Sequence, residues 1–385
     1  MKIAHVTDFY LPRLGGIEMH VSELSGRQRA LGHEVAILTS SPGRCAHEAY
    51  VHRVTDAYRR PHALHPLAVR AGVAELERLA PDVVHAHLGV GSPLAFFLAR
   101  AAARRGIPTV VTVHSMWAGV RPIMRTMDVL GGWSDLPITW TAVSRAAAQP
   151  VANILPAGTQ IHILANGIEQ EEWRRPAPVE TPGEITLVAV MRLARRKRPI
   201  ALLKMVRQAQ QALEEQGDPT RLRLVVAGDG PRREAMEGWI RRHGMQDSVS
   251  LLGRLERGAV HDLLGRSHAF LAPADLESFG IAALEARCSG LPVIAKAQGG
   301  VGEFVRHEQE GLLVDSDADM VDAIVRLARD PQLRRSIAAH NRTQACPVAW
   351  APLLAATDAA YALATKAAHD RRGADPLTAV AAVTR

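Results

Sequence analysis

Short aliphatic and β-branched runs alternate with helical-period segments along nearly the whole chain, and the joints between them carry glycine, proline or a capping residue. Strand-like runs at 2–7, 33–39, 82–87, 109–114, 139–143 and 161–164 are interleaved with helical patterns at 18–31, 93–105 and 145–155. Ser144 stands where it can cap the last of these helices. Consecutive strands joined by helices cannot be hairpins. They form parallel sheets covered by helices. A composition shift at 174–183, with Pro176, Pro178, Pro182 and Gly183, reads as a linker. A second series follows, with strands at 185–190, 221–227, 249–252, 269–273, 293–295 and 311–314 and helices at 199–213, 232–243, 260–265 and 320–328. The expected fold class is therefore α/β, with two Rossmann-like domains. The expected boundaries are 1–175, 183–350, a final Ala-rich helix at 351–368 and a tail at 369–385.

At 385 residues the chain has room for two or three domains. Its net charge of +7 comes almost wholly from Arg, since only five Lys are present. A basic balance favours anionic partners without choosing among nucleotide, phosphorylated substrate, membrane surface and nucleic acid. Cys45, Cys288 and Cys346 have no metal-ligand spacing and read as reduced thiols. The first residues, Met-Lys-Ile-Ala-His-Val-Thr-Asp, read as a strand rather than a signal peptide. No apolar run is long enough for a membrane span. Aromatic residues at 4% are too few for nucleic-acid stacking platforms.

The most specific local pattern is Glu277-Ser-Phe-Gly-Ile-Ala-Ala-Leu-Glu285, followed by Gly290-Leu-Pro-Val. It reads as loop, helix, turn and strand. Free amides at such a helix start suit a diphosphate, and acids before and within the helix can reach different parts of one long ligand. This pattern resembles the two-glutamate signature of the retaining glycosyltransferases of the GT-B fold, glycosyltransferase family 4. Two further segments match in order. Arg192 and Lys197 follow the first strand of the second series, and Gly15-Gly16 follows the first strand of all. Where the family often has Gly after the Lys, this chain has Arg198-Pro199.

The resemblance implies two domains facing a cleft, with the last helix crossing back to the first domain. It implies that Glu285 holds the ribose and Glu277 the transferred sugar. Arg192, Lys197 and the loop Ser278, Phe279, Gly280 and Ile281 would take the diphosphate through cations and amides. Gly16 would line the donor phosphates, Arg254 the nucleotide, and His114 the sugar or acceptor near the reacting centre. His85 and His87 close another strand and are weaker candidates. Asn166-Gly167 is either a junction segment or a plain turn. Arg121, Arg125 and Arg145 are candidates for an acceptor phosphate, though solvated surface Arg is the commoner case.

The implied activity is metal-independent transfer of glucose or N-acetylglucosamine from a UDP-sugar to a hydroxyl of a small-molecule, lipid or polysaccharide acceptor, with retention and no cofactor. Catalysis would fall to Glu277, His114, Arg192 and Lys197. GDP-mannose users share the same motifs. The competing classes are a basic anion- or membrane-binding protein and a Rossmann oxidoreductase. Against the first, Arg59-Arg60 and Arg104-Arg105 are too scattered for a basic amphipathic helix. Against the second, Gly228-Asp-Gly230 and Gly89-Val-Gly91 lack the dinucleotide fingerprint. Asp315-Ser-Asp317-Ala-Asp319 contains an Asp-x-Asp pattern but is placed as a helix cap, so no metal site is expected. The implied location is the cytoplasm, with room for peripheral contact at the inner membrane face.

Overall fold

A computed structural model describes residues 1–13, 15–43, 49–54, 66–178, 181 and 183–374. Leu14, Cys45, Arg59, Arg60, Pro182 and the end of the tail, 375–385, lie outside the described residues, as does the side chain of Arg121. The chain divides into two compact units, Met1–Gly167 with Trp350–Arg385, and Ile168–Ala349.

The first unit runs β1 (Lys2–Thr7), α1 (Gly16–Ala30), β2 (Glu34–Thr39), β3 (Val51–Arg53), α2 (Pro66–Leu79), β4 (Val83–Leu88), α3 (Pro93–Arg104), β5 (Thr109–Val113), α4 (Arg121–Gly131), β6 (Ile138–Ala142), α5 (Arg145–Ala152) and β7 (Ile161–Ile163). Its seven strands are parallel in the order β3-β2-β1-β4-β5-β6-β7. Strand order reverses between β1 and β4, the position where open α/β sheets leave a crevice at the carboxyl ends. Asp8, just past β1, accepts the Leu94 and Ala95 amides at 3.1 and 2.9 Å and so satisfies the start of α3. Ser144 caps α5 through the Ala147 amide at 3.0 Å, as its sequence position implies.

The second unit runs α6 (Gln170–Trp173), β8 (Glu184–Val190), α7 (Pro199–Glu215), β9 (Arg221–Ala227), α8 (Arg233–Arg242), β10 (Val249–Gly253), α9 (Arg257–Gly265), β11 (Ala269–Ala272), α10 (Ile281–Cys288), β12 (Val293–Lys296), β13 (Gly311–Val314), α11 (Asp317–Arg329) and α12 (Pro331–Thr343). Its six parallel strands take the order β10-β9-β8-β11-β12-β13, with the reversal between β8 and β11. Leu187, Ala189, Leu224, Val226, Leu271 and Ile294 form the sheet side of its core against Leu202, Val206 and Ala209 of α7.

The chain then returns to the first unit as α13 (Trp350–Ala374). Trp350, Leu353, Ala360 and Ala364 pack on Ile3, Val83 and Val110. The helix runs past 368, so the first six residues assigned to the tail are its last turns.

The boundary also differs from the sequence expectation. The Pro-rich 174–183 segment belongs to the second unit. Its physical cause lies just upstream. The Ile168 amide bonds the Val348 carbonyl at 3.1 Å, and the Gln170 side chain receives the Cys346 amide and donates to the Gln344 carbonyl. Arg175 reaches Asp262 of α9 at 3.6 Å. Asn166-Gly167 sits at the crossing. A Cβ on Gly167 would meet the Trp350 ring at 2.7 Å, so a bare backbone is required there.

Candidate active site

In the second unit, the loops leaving β8 and β11, the two strands at the reversal, carry most of the residues singled out from the sequence. After β8 the segment 191–193 lies against the loop that follows β9. The Met191 and Leu193 amides bond the Ala227 and Asp229 carbonyls at 3.0 and 2.9 Å. Gly228 (φ 132°) and Gly230 (φ 155°) make this possible, since a Cβ on Gly228 would stand 1.8 Å from the Met191 carbonyl. Arg192 is thereby presented on the surface. Arg254, after β10, is also exposed.

Lys197 ends a short 3-10 turn, and its ammonium pairs with the Glu277 carboxylate beyond β11. Both side chains are mostly shielded, at 22% and 17% exposure, so this pair is worth more than a surface bridge. Arg198 comes next, at φ 55°, ψ 44°, a left-handed conformation that favours glycine. Its guanidinium explains why a charged residue stands there. It makes a bidentate bond to Asp317 at 2.8 and 2.7 Å, and it donates to Asp275 at 3.0 Å and to the Pro273 carbonyl at 3.1 Å. Arg198 thus braces the loop that delivers Glu277. Lys296, 2% exposed at the end of β12, joins the cluster 2.9 Å from Asp317. The Arg198 hydrogen bond, followed by that of Lys296, holds the Asp317 carboxyl down at about 2.

The Asp-x-Asp segment is occupied by these contacts. Ser316 and Asp319 form a reciprocal capping box at the start of α11, while Asp317 is the acceptor for Arg198 and Lys296.

The Glu277–Gly280 loop is clamped by Gly300, which the sequence reading did not single out. The Gly300 amide donates to the Glu277 carbonyl at 2.8 Å, and a Cβ on Gly300 would lie 2.2 Å from the Ser278 carbonyl. Phe279 is buried and packs on Phe304, with ring centroids 5.3 Å apart. Gly280 caps α10 at φ 96°, ψ 54°. Buried in this way, Phe279 can offer a ligand only its main chain. Ile281 opens the helix, where first-turn amides lack intrahelical acceptors. Glu285 lies in the second turn, half buried.

Cys288 and Cys346 are free thiols, as their reading from the sequence has it. Cys288 and Cys346, 58 residues apart in sequence, are both buried and share a hydrogen bond that raises the Cys288 thiol and lowers Cys346 to about 7.

In the first unit, Gly15 and Gly16 are exposed at the start of α1, beside an Arg13–Glu18 pair at 2.9 Å. His114 follows β5, 7% exposed, with its amide on the Leu88 carbonyl at 2.8 Å. His85 and His87 are not loose strand-end groups. Both are buried, and together with His5 and His114 they form a connected imidazole cluster. Burial pushes His5 down to about 4 and His20 to about 3, and holds His85, His87 and His114 well below the usual histidine range. Arg125 and Arg145 are exposed.

Two family models match the chain, one described as glycosyl transferases group 1 over residues 169–344 and one as glycosyltransferase family 4 over residues 14–172. The chain belongs to glycosyltransferase family 4. It is 26% identical to a phosphatidylinositol N-acetylglucosaminyltransferase subunit of Arabidopsis thaliana, covering 96% of this chain and 83% of the relative. It is 27% identical to glycogen synthase of Mycobacterium tuberculosis, covering 95% of each. Among solved structures, Anabaena HepE in complex with UDP and glucose superposes with a TM-score of 0.72 at 17% identity, over 93% of this chain and 98% of that one. This glycosyltransferase therefore has the GT-B fold type, built from two parallel-sheet α/β domains. Among its described residues no helix is long and apolar enough to cross a membrane.

Proposed function

We propose that this glycosyltransferase moves glucose or N-acetylglucosamine from a UDP-sugar to an acceptor hydroxyl, with retention and without a metal. The observation that carries the reading is the Lys197–Glu277 pair beside the start of α10, with Arg192 exposed on the adjoining loop. The names of the two relatives support the choice of sugars, and the UDP held by the structural neighbour supports the choice of nucleotide.

The residues take these roles. Glu285 accepts hydrogen bonds from the ribose hydroxyls. The diphosphate lies on the amides around Ile281 and draws Lys197 and Arg192. Glu277, released by Lys197, holds hydroxyls of the sugar. His114 serves as a hydrogen-bond partner for a substrate hydroxyl, and Gly16 gives close backbone approach to the donor phosphates. The bond from the anomeric carbon to the diphosphate oxygen breaks, and its electron pair goes to the leaving UDP. The acceptor oxygen bonds to the same face of that carbon, and the leaving diphosphate oxygen takes the acceptor proton. Fixed cations and helix amides stabilise the charge that develops on the leaving group. They supply what a metal would supply elsewhere, and Asp317 is already engaged by Arg198 and Lys296.

Mass spectrometry of donor hydrolysis tests this, using UDP-, GDP- and ADP-sugars in EDTA. UDP release from UDP-glucose or UDP-N-acetylglucosamine is expected. Turnover of GDP-mannose alone, or activity abolished by EDTA and restored by a divalent cation, would overturn it.

A further inference from the structure

The buried face of the first sheet changes character along its strands. Ile3, Val83 and Val110 make it apolar at the amino ends. Two residues further along, on the same face, come His5, His85 and Thr112. Apolar side chains would fill this space at least as well, so the polar set calls for an explanation. The hydrogen bonds supply one, because they run as a single chain whose polarity is fixed at one end.

That end is the Val111 carbonyl, which can only accept. The Thr141 hydroxyl donates to it at 3.1 Å, so the Thr141 oxygen accepts from Thr112, 2.6 Å away. The Thr112 hydroxyl proton is then committed, and its oxygen must accept from His85 Nε2 at 2.6 Å. A neutral His85 with its proton on Nε2 has a lone pair on Nδ1, which takes the Tyr361 hydroxyl at 3.0 Å. The Tyr361 oxygen in turn accepts the Gln28 Nε2 proton at 3.0 Å, which points Gln28 Oε1 at His5. An amide oxygen only accepts, so His5 carries its proton on Nε2, 2.7 Å away. His5 Nδ1 therefore accepts from His87 Nε2 at 2.9 Å, and His87 Nδ1 accepts from His114 Nε2 at 3.0 Å. Turning Gln28 over would set the single Tyr361 proton between two acceptors, Gln28 Oε1 and His85 Nδ1, and one of those links would be lost. The assignment given satisfies every link.

We propose that this chain, anchored on the Val111 carbonyl, fixes His114 as its Nε2–H tautomer, so that Nδ1 is held as a hydrogen-bond acceptor for a substrate hydroxyl. His114 is the end of the chain that keeps solvent access, 7% exposed against 0–1% for His5, His85 and His87. Burial keeps all four imidazoles neutral, as the chain requires. Tyr361 and Gln28 are positioning residues, acting through others. His20 is outside the chain. It stacks on Trp350, and its Nδ1 has no hydrogen bond. The same imidazoles come close enough to suggest a cation site, but the chain already uses both nitrogens of His5, His85 and His87.

The proposal rests on His114 meeting substrate, and its first test does not need turnover. Long-range proton–nitrogen spectra of the full chain labelled with ¹⁵N-histidine should show His5, His85, His87 and His114 as neutral Nε2–H forms at pH 7.5. Tyr361→Phe cuts the chain far from His114. It should bring up the Nδ1–H form of His114 and lower kcat for sugar transfer about tenfold with donor KM unchanged. Thr141→Val should act in the same direction and Thr141→Ser should restore the wild-type spectrum, which covers the case of a poorly folded Tyr361→Phe. An Nδ1–H His114 in the wild-type protein, a tautomer indifferent to both cuts, or stoichiometric zinc uptake that consumes the imidazole signals would overturn it. A correct tautomer pattern in a protein that turns over no nucleotide-sugar would instead sink the proposed activity and leave the chain intact.

Discussion

The two units share one plan of parallel strands with a central reversal, yet they place polar chemistry differently. In the second unit the buried strand faces are apolar, and the charged groups of the site stand at the end of β12 and in the segments beyond β8, β11 and β13. In the first unit the histidines are laid into the sheet itself, under α1 and α13. Loops can exchange ion pairs as a charged ligand arrives. A buried, fully paired chain is better suited to holding one proton in one place. Under the proposed function, the second unit would grip a diphosphate and the first would present a neutral hydrogen-bond partner.

The largest expected effect is on the loop side. Glu277→Ala should lower sugar-transfer turnover by about 10²–10³-fold in a chain that still folds, whereas Glu285→Ala should mainly weaken UDP binding in calorimetry. Equal and small losses in both would erase the division of labour between the two acids.

Acid should separate the units next. Histidines whose folded pKa is depressed bind fewer protons than in the unfolded chain. The stability they share is therefore complete above about 6.5 and is lost as pH falls toward the folded values. For His5, moving from 6.5 to about 4 corresponds to about 3 kcal/mol, and His20, His85, His87 and His114 shift the same way. Asp8, pushed by burial up to about 6 against two amide bonds, opposes this, but it is one group against five. In the second unit Glu310 and Asp317, both held at about 2, lose stability only below their unfolded values of 4.5 and 3.8. Hydrogen exchange at pH 5 should show the first unit loosened and the second intact. Equal protection in both would contradict the placement of the histidines.

The smallest effect concerns the brace. Arg198→Gly removes the ties to Asp317 and Asp275 but suits the left-handed backbone, while Arg198→Ala loses the ties and keeps the strain. Arg198→Ala should be less stable than Arg198→Gly by about 1 kcal/mol in denaturant unfolding. The reverse order would mean the backbone conformation is not the constraint.

Much of this was legible in the sequence because the signals are local. Pro199 and Ser144 announce their helices, β9 and β13 have the bounds their residue pattern gives, and the loop residues follow strands directly. The three-residue β3, and α2 and α4, each of which begins at or next to a proline, were not anticipated. What local pattern could not give is partnership at a distance. Arg198 meets Asp317 across 119 residues, and Gln28 meets Tyr361 across 333. The alternating His85 and His87 in an otherwise apolar strand were the one visible sign of the chain, and without His5, Gln28 and Tyr361 they pointed nowhere. Lys296 and Gly300 gave no signal of their own, because their meaning lies in Asp317 and Ser278.

A crystal structure with UDP is the most direct test of the whole. The diphosphate is expected at the start of α10 within reach of Arg192 and Lys197, with the ribose on Glu285 and the Lys197–Glu277 pair opened. UDP bound away from these four side chains, with that pair still closed, would contradict the account.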